Sequence, residues 1–452
     1  MAQHHRFHYK SLDELKEDMT KMGLDIPVSA DVAVLFRPIA IGDKTVPNRL
    51  AINPMEGCDG TPEGKPSDLT RRRYRRFGNS GAGLVWYEAT AVVNEGRANP
   101  RQLQINKETS ADVAATLREL LEAAKTAGHG RPYSVLQLTH SGRYSRPGRD
   151  PAPVVAVPNP FLDAGRPGVH VISDEELEQL EERFVSAAQE AAEAGFDAVD
   201  VKACHGYLLA ELLSAHTREG RYGGSFENRT RALCSIVDRI RGKLGDKIAL
   251  AVRLGVYEQA PHPYAWGADK DDYHRPDYTE PARLVKLLWE KGVKLFAISV
   301  GNPYYNPHLT RPYDKGVYIP PVHPLEGVRL LLSAAKAMQA AAPEAVIMGA
   351  GLSWLRQFAP NAAAGCVEQG WCKLAGFGRQ AITYPEFAAD LLKTGTLDPK
   401  KTCLACSRCT TIMRDGGCAG CVPRDKDVYL PIYKKGREGK PPVETDRVAE
   451  HL

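Results

Sequence analysis

No stretch of this 452-residue chain stays apolar for the roughly 18–20 residues that a membrane-crossing helix requires, so a helical membrane protein is not expected. Net charge is also scarce. Lys and Arg number 59 against 55 Asp and Glu, a formal charge of +4. That is small for the length and gives no electrostatic case for a nucleic acid or a membrane surface as partner. The N-terminus, "MAQHHRFHYKSLDELKEDM", has no apolar signal core, which predicts a cytoplasmic protein. No G-x-G-x-x-G follows an early strand, which argues against an open doubly wound sheet.

What is present suits a globular enzyme. Hydrophobic residues make up 43% and charged residues 25%, the balance of an ordinary core and surface. The length accommodates one large α/β domain with an appendage, or two or three ordinary domains. Ten cysteines are unevenly placed. Five of them, Cys403, Cys406, Cys409, Cys418 and Cys421, crowd into "CLACSRCTTIMRDGGCAGC". In a cytosolic chain such a group predicts metal binding rather than disulfides.

One plan recurs along the chain: a helix, a glycine, then a short apolar run. In "SDEELEQLEERFVSAAQEAAEAG", Ser173 and Glu176 form a capping box. Leu177, Leu180, Phe184, Ala188 and Ala191 recur at helical spacing. Gly195 then suits a left-handed C-cap, and "FDAVDV" follows as a strand. Ser11 and Glu14 repeat the capping-box pattern near the N-terminus. "RLAI", "LVWYE", "YSVLQL", "AVDV", "ALAVRL", "LFAISV", "AVIMGA" and "WCKLAG" read as eight strands. Most are continuously apolar, as parallel strands covered by helices are. Eight such units in about 350 residues predict a (β/α)8 TIM barrel.

In a barrel, the C-terminal ends of the strands face the active site. Lys202, His205 and Tyr207 leave strand four together. Strand one runs into "NPMEGC", strand two ends in Glu88 and Ala89, strand three carries Gln137, and strand five carries Arg253. "GAG" and "GFGR" end strands seven and eight. Glycine-rich turns there leave backbone N–H groups free for an anion, and Arg379 adds a bidentate contact. A ligand with a phosphate tail is expected, with Gln137 and Arg253 placed to hydrogen-bond a flat heterocycle across the barrel mouth. "RYGGSFENRTR" reads as structural: Ser225 caps the next helix and Glu227 favours its positive end.

With these residues in view, the chain resembles the old yellow enzyme family of FMN-dependent oxidoreductases over residues 34–395. The matching pieces are "LFRPIAIGDKTVPNRLAINPM", "GLVWYEATAVVNEGR", "QLTHSGR", "HGYLLAELLS", "RYGGSFENRTR" and "FGRQAI". The resemblance implies that Pro54, Met55 and Glu56 lie against FMN, that Ala89 and Gln137 contact its ring, and that Arg253 sits at its polar edge. Ala350, Gly351, Gly378 and Arg379 would hold the phosphate. Tyr207 matches the family's proton donor. His205 and Lys202 match the pair that grips the substrate carbonyl oxygen. That pair is usually His-His or His-Asn; a lysine stabilises a formal anion more strongly than a neutral imidazole does, which suggests a substrate with a carboxylate or thioester. Glu56 departs from the Cys, Thr or His common at its position, and a carboxylate there disfavours an anionic reduced ring.

The tail spacing C-x2-C-x2-C, followed by Cys421, fits a cubane cluster. Cys403 and Cys406 with Cys418 and Cys421 fit zinc equally well. The resemblance extends to the family's iron–sulfur branch, which includes 2,4-dienoyl-CoA reductase and trimethylamine dehydrogenase. It implies a [4Fe-4S] cluster on Cys403, Cys406, Cys409 and Cys421, with Cys418 surplus and the alternative fourth ligand. The predicted organisation is an N-terminal helical extension (1–33), the FMN barrel (34–395) and the cysteine-rich segment and tail (396–452). No second flavin or nicotinamide domain is expected. Electrons then need a separate partner, a flavoprotein or a ferredoxin-like donor, or direct hydride delivery from NAD(P)H. The oligomeric state is left open, a homo-oligomer included.

The implied reaction is reduction of an activated C=C bond, in an enoate or enoyl thioester, with Tyr207 protonating the α-carbon. One alternative is oxidation of an amine, with electrons leaving through the cluster and Tyr304, Tyr305 and Tyr313 caging the cation. A second, from another class, is a Schiff-base lyase using Lys202 with a zinc-binding tail. A third is a non-catalytic electron relay.

Overall fold

The computed structural model describes residues 4–163 and 168–438. Residues 1–3 of the predicted N-terminal extension and the tail beyond 438 lie outside them. Eight parallel strands close into a barrel: β1 (Leu50–Ile52), β2 (Leu84–Ala91), β3 (Tyr133–Thr139), β4 (Ala198–Val201), β5 (Ala249–Gly255), β6 (Leu295–Ser299), β7 (Val346–Gly349) and β8 (Leu374–Phe377). Each pairs with the next in the chain, and β8 returns to β1. These are the eight runs read from the sequence. Their continuous hydrophobicity follows from burial on both faces.

Eight helices surround the strands: α1 (Asp68–Gly78), α2 (Ser110–Thr126), α3 (Asp174–Glu193), α4 (Phe226–Leu244), α5 (Thr279–Glu290), α6 (Pro324–Ala341), α7 (Ala359–Glu368) and α8 (Phe387–Thr394). Their starts are chemically specified. The Ser173 hydroxyl accepts from the Glu176 N–H, and the Glu176 carboxylate accepts from the Ser173 N–H, so the expected box opens α3. Gly195 follows with φ +94°. At Ser11 only half the expected box forms. Its hydroxyl takes the Glu14 N–H, but the Glu14 carboxylate reaches past it to the Lys10 N–H at 2.7 Å. Ser225 caps α4 as predicted, and Phe226, Leu233, Ile236 and Ile240 are its buried stripe.

The barrel interior is filled by side chains, among them Leu84, Trp86, Val135 and Leu295. Ile41 and Val46, from the hairpin Ile39–Ile41/Lys44–Val46, pack into the same cluster. A larger core lies between strands and helices. The β2–β3 ladder slips once: Trp86 opposes Val135, yet Ala89 opposes Gln137. One extra residue on β2 makes a bulge that re-aims the strand end. Among the described residues, no helix is long and apolar enough to cross a membrane.

Candidate active site

The strand ends enclose a cavity of about 250 Å³. Every residue expected to touch FMN or to act on the C=C substrate lines it. Pro54, Met55 and Glu56 follow β1; Ala89 and Gln137 come from β2 and β3; Arg253 comes from β5. Ala350, Gly351, Gly378 and Arg379 form one end, and Lys202, His205 and Tyr207 form part of the wall.

The phosphate end has the features an anion needs. The Arg379 guanidinium is buried. Its Nη2 donates to the Pro312 carbonyl at 2.7 Å, and its Nη1 has no protein partner. Gly351 has φ +92°, and a Cβ there would meet Leu331 Cδ1 at 2.4 Å, so glycine is required on both counts. An orphaned buried cation beside two glycine turns fits the phosphate of FMN.

The ring end is set by Asp200, which the sequence reading missed. Its carboxylate accepts from Gln137 Nε2 at 2.6 Å, Trp86 Nε1 at 2.9 Å and the Arg253 N–H at 2.6 Å. The Gln137 amide nitrogen is therefore committed, and its carbonyl oxygen is left as an acceptor for the N–H edge of a flavin. Burial pushes the Asp200 carboxyl up to about 6, against those donors. A charged residue inside the strand run "AVDV" was the available signal.

Glu88 behaves differently from its place at a strand end. It turns away from the cavity into a buried network, accepting from Arg73 Nη2 at 2.6 Å, the Tyr74 hydroxyl at 3.2 Å and the Gly57 N–H at 2.7 Å. Arg73 also pairs with Asp59 at 2.8 Å. The network anchors the loop that carries Pro54, Met55 and Glu56.

One wall of the cavity is aromatic and basic. Lys202 Nζ lies 3.7 Å from the centre of the Tyr207 ring. The Tyr207 hydroxyl is 3.0 Å from that of Tyr304. Tyr304 stacks on Tyr144 at 3.7 Å. Tyr207 is 3% exposed and Tyr304 49%. His205 adopts φ +66°, and its Nε2 is 2.9 Å from the Ser299 hydroxyl. Burial, together with Arg253 and Lys202, pushes its pKa well down, so the imidazole is neutral. Burial lowers Lys202 as well and raises Tyr207 well above an ordinary phenol. Glu56 is pushed up to about 7 by burial, against the pull of the Lys202 ammonium. Its carboxylate accepts from Asn99 Nδ2 at 2.5 Å. Of the three tyrosines expected to cage an amine, Tyr304 alone lines the cavity; Tyr313 is buried and donates to the Tyr318 carbonyl.

The cysteine segment folds back onto the barrel. Cys403, Cys406, Cys409 and Cys421 line one cavity, and Arg379 lines it too. Cys418 is not on that wall; its sulfur accepts from Arg101 Nη1 at 3.3 Å. Ala405 and Ser407 have φ of +49° and +56°, which curls the loop tightly between the first three sulfurs. Among the described residues, no three His, Cys, Asp or Glu side chains are gathered closely enough to hold a metal ion. Four thiols around a shared space match the donor set that a [4Fe-4S] cluster takes, which is also one that zinc takes. Thr410, Met413 and Arg414 of this segment also line the flavin cavity, which no sequence pattern indicated.

A family model described as the NADH:flavin oxidoreductase / NADH oxidase family matches residues 34–266. The NADH:flavin oxidoreductase FG08077 of Gibberella zeae is 30% identical over 289 residues, covering 59% of this chain and 67% of its own length. An NADPH dehydrogenase of a Geobacillus species is 32% identical over 272 residues, covering 59% of this chain and 73% of its own. Among solved structures, a 2-naphthoyl-CoA reductase in complex with 2-naphthoyl-CoA superposes with a TM-score of 0.70 at 22% identity. That match covers 91% of this chain, which spans 58% of the other's length, and at this identity the likeness is one of fold.

Proposed function

This chain belongs to the NADH:flavin oxidoreductase / NADH oxidase family, and from that premise we propose that it reduces an activated C=C bond in an enoate or enoyl thioester. The observation that carries this reading is the meeting, in one cavity, of an acid, a cation and a neutral imidazole with a phosphate-and-ring cradle. FMN, when bound, supplies the two-electron hydride chemistry. The chain's own groups do the rest. Lys202 and His205 hold the carbonyl oxygen and stabilise the negative charge that grows on it as the β-carbon accepts hydride. Tyr207 gives its phenolic proton to the α-carbon, so the product has gained one hydride and one proton. The Lys202 ammonium over the ring favours the phenolate left behind. Tyr304, bonded to Tyr207 and open to solvent, returns the proton.

Cys403, Cys406, Cys409 and Cys421 are the proposed ligands of a [4Fe-4S] cluster, which supplies one-electron exchange with a flavoprotein or ferredoxin-like partner. NAD(P)H is the proposed hydride source. The amine reading is weaker, because one tyrosine rather than three faces the cavity and Lys202 repels a cation. The family chemistry favours redox catalysis over a Schiff-base lyase.

Anaerobic purification with flavin, iron and acid-labile sulfide quantified, followed by an NADPH-driven screen of enoates, enoyl thioesters and amines, tests the reading. Flavin bleached by NADPH and reoxidised by an alkene supports it. Bleaching by amines alone, or a colourless protein holding only zinc, defeats it.

A further inference from the structure

A second cavity, of about 370 Å³, adjoins the flavin cavity. The two share Arg311, Thr410 and Arg414. Arg311, Lys315, Arg408, Arg414 and Arg437 line it, and among the described residues no carboxylate does. Arg437 is neutralised by Asp415 at 2.9 Å. The other arginines contact neutral groups: Arg311 donates to the Thr410 hydroxyl at 2.6 Å, and Arg414 to the Pro303 carbonyl at 3.4 Å. Arg408 sits 6.0 Å from the centre of the Tyr433 ring. Burial and the neighbouring Arg379 and Arg414 push Arg311 down to about 10, with the Cys409 sulfur acting in the opposite direction. Cys406 on this wall and Cys409 near Arg311 are the opposing groups, and two thiolates leave an excess of positive charge among Arg311, Lys315, Arg408 and Arg414.

We propose that this cavity binds the pyrophosphate of an extended substrate or hydride donor whose reactive end reaches the flavin cavity across Arg311, Thr410 and Arg414. Two linked phosphates present several anionic oxygens to planar guanidinium forks, the pairing for which arginine is best suited. The Ser407, Thr410 and Thr411 hydroxyls on the same wall are neutral donors for the remaining oxygens. Two molecules carry this chemistry, a nicotinamide dinucleotide and a CoA thioester. The site rests on the ene-reductase reading only for which of the two it serves.

The test titrates the holoprotein with inorganic pyrophosphate by calorimetry at low and high salt. Binding that weakens with salt is expected. Lys315→Glu alone, and with Arg408→Gln, weakens it by about tenfold or more, the scale of lost charge-assisted hydrogen bonds. Iron content is measured in parallel for both variants, because Lys315 shares the wall with Cys406 and its backbone N–H meets the Ala405 carbonyl, and the comparison is read on the variants that keep their iron. Half-reaction kinetics then assign the carrier. A raised KM for NADPH in flavin reduction marks the donor, and a raised KM for the thioester in reoxidation marks the substrate, with a phosphate-free enoate unaffected. Absence of pyrophosphate binding, or binding indifferent to both variants, overturns the site. If wild type reduces no alkene yet binds pyrophosphate with these sensitivities, the ene-reductase reading falls and the site stands.

Discussion

The Tyr207 hydroxyl, almost wholly buried, meets the half-exposed Tyr304 hydroxyl at 3.0 Å. This pair separates delivery of a proton from its replenishment. Tyr207→Phe is expected to slow alkene reduction by about 10²–10⁴-fold, the usual worth of a positioned acid, while flavin reduction by NADPH is spared. Tyr304→Phe is expected to leave the first turnover largely intact and slow the steady state. Stopped-flow single turnover against steady-state rates reads both, and an unimpaired Tyr207→Phe enzyme would remove the acid from the scheme.

Glu56 brings a titration to the cavity. With its carboxyl raised to about 7, it is mostly neutral below that pH and anionic above it. A new negative charge beside the flavin opposes its reduction. The flavin potential is therefore expected to fall more steeply above pH 7 in wild type than in Glu56→Gln. Spectroelectrochemistry across pH 6–8 measures it; identical slopes would dismiss the role.

Asp200 is held with its carboxyl raised to about 6 from an ordinary 3.8. A raised carboxyl favours the folded state while protonated. Its contribution is full below pH 3.8 and is lost as the pH climbs through about 6. Asp200→Asn should therefore flatten the pH dependence of stability over that window, while the altered hydrogen bonding to Gln137 and Trp86 lowers FMN occupancy. Thermal melts at several pH values, with bound flavin quantified, check this.

The tail makes a sharp comparison. Cys421→Ser is expected to lose iron and acid-labile sulfide, and Cys418→Ser to keep both, since Cys421 shares the cavity with the other three thiols and Cys418 does not. Iron analysis of the two anaerobic preparations decides; the reverse pattern would exchange the ligands.

Arg73 pairs with Asp59 and Glu88 in the interior. Arg73→Met leaves two carboxylates without their cation, a loss of about 3–5 kcal/mol. Denaturant unfolding measures it. Because the network holds the 54–57 loop, flavin should also bind more weakly.

The barrel was legible because doubly covered parallel strands are written as uninterrupted apolar runs, and its mouth because polar residues such as Lys202, Gln137 and Arg253 end those runs. Other features required partners far apart in the chain. Glu88 reads in the sequence as a strand end like Ala89, but β2 runs on to Ala91, and only the approach of Arg73, fifteen residues earlier, shows that Glu88 turns away from the cavity. The return of Thr410, Met413 and Arg414 over the flavin cavity is a long-range packing result with no local period. The Ser11 box failed by one residue because Lys10 offered the same N–H donor to Glu14.

The slip in register between Trp86 and Ala89 doubles what the strand sends outward. The extra residue lets Tyr87 and Glu88 both leave the strand toward Tyr74 of the surrounding helix while Ala89 stays opposite Gln137, so removing one of the two would straighten the ladder without changing the side of Ala89. What would be lost is one of the two buried partners of Tyr74, the Tyr87 ring stacked on it or the Glu88 carboxylate that accepts from its hydroxyl. The length of this short segment is therefore set by the helix outside the barrel.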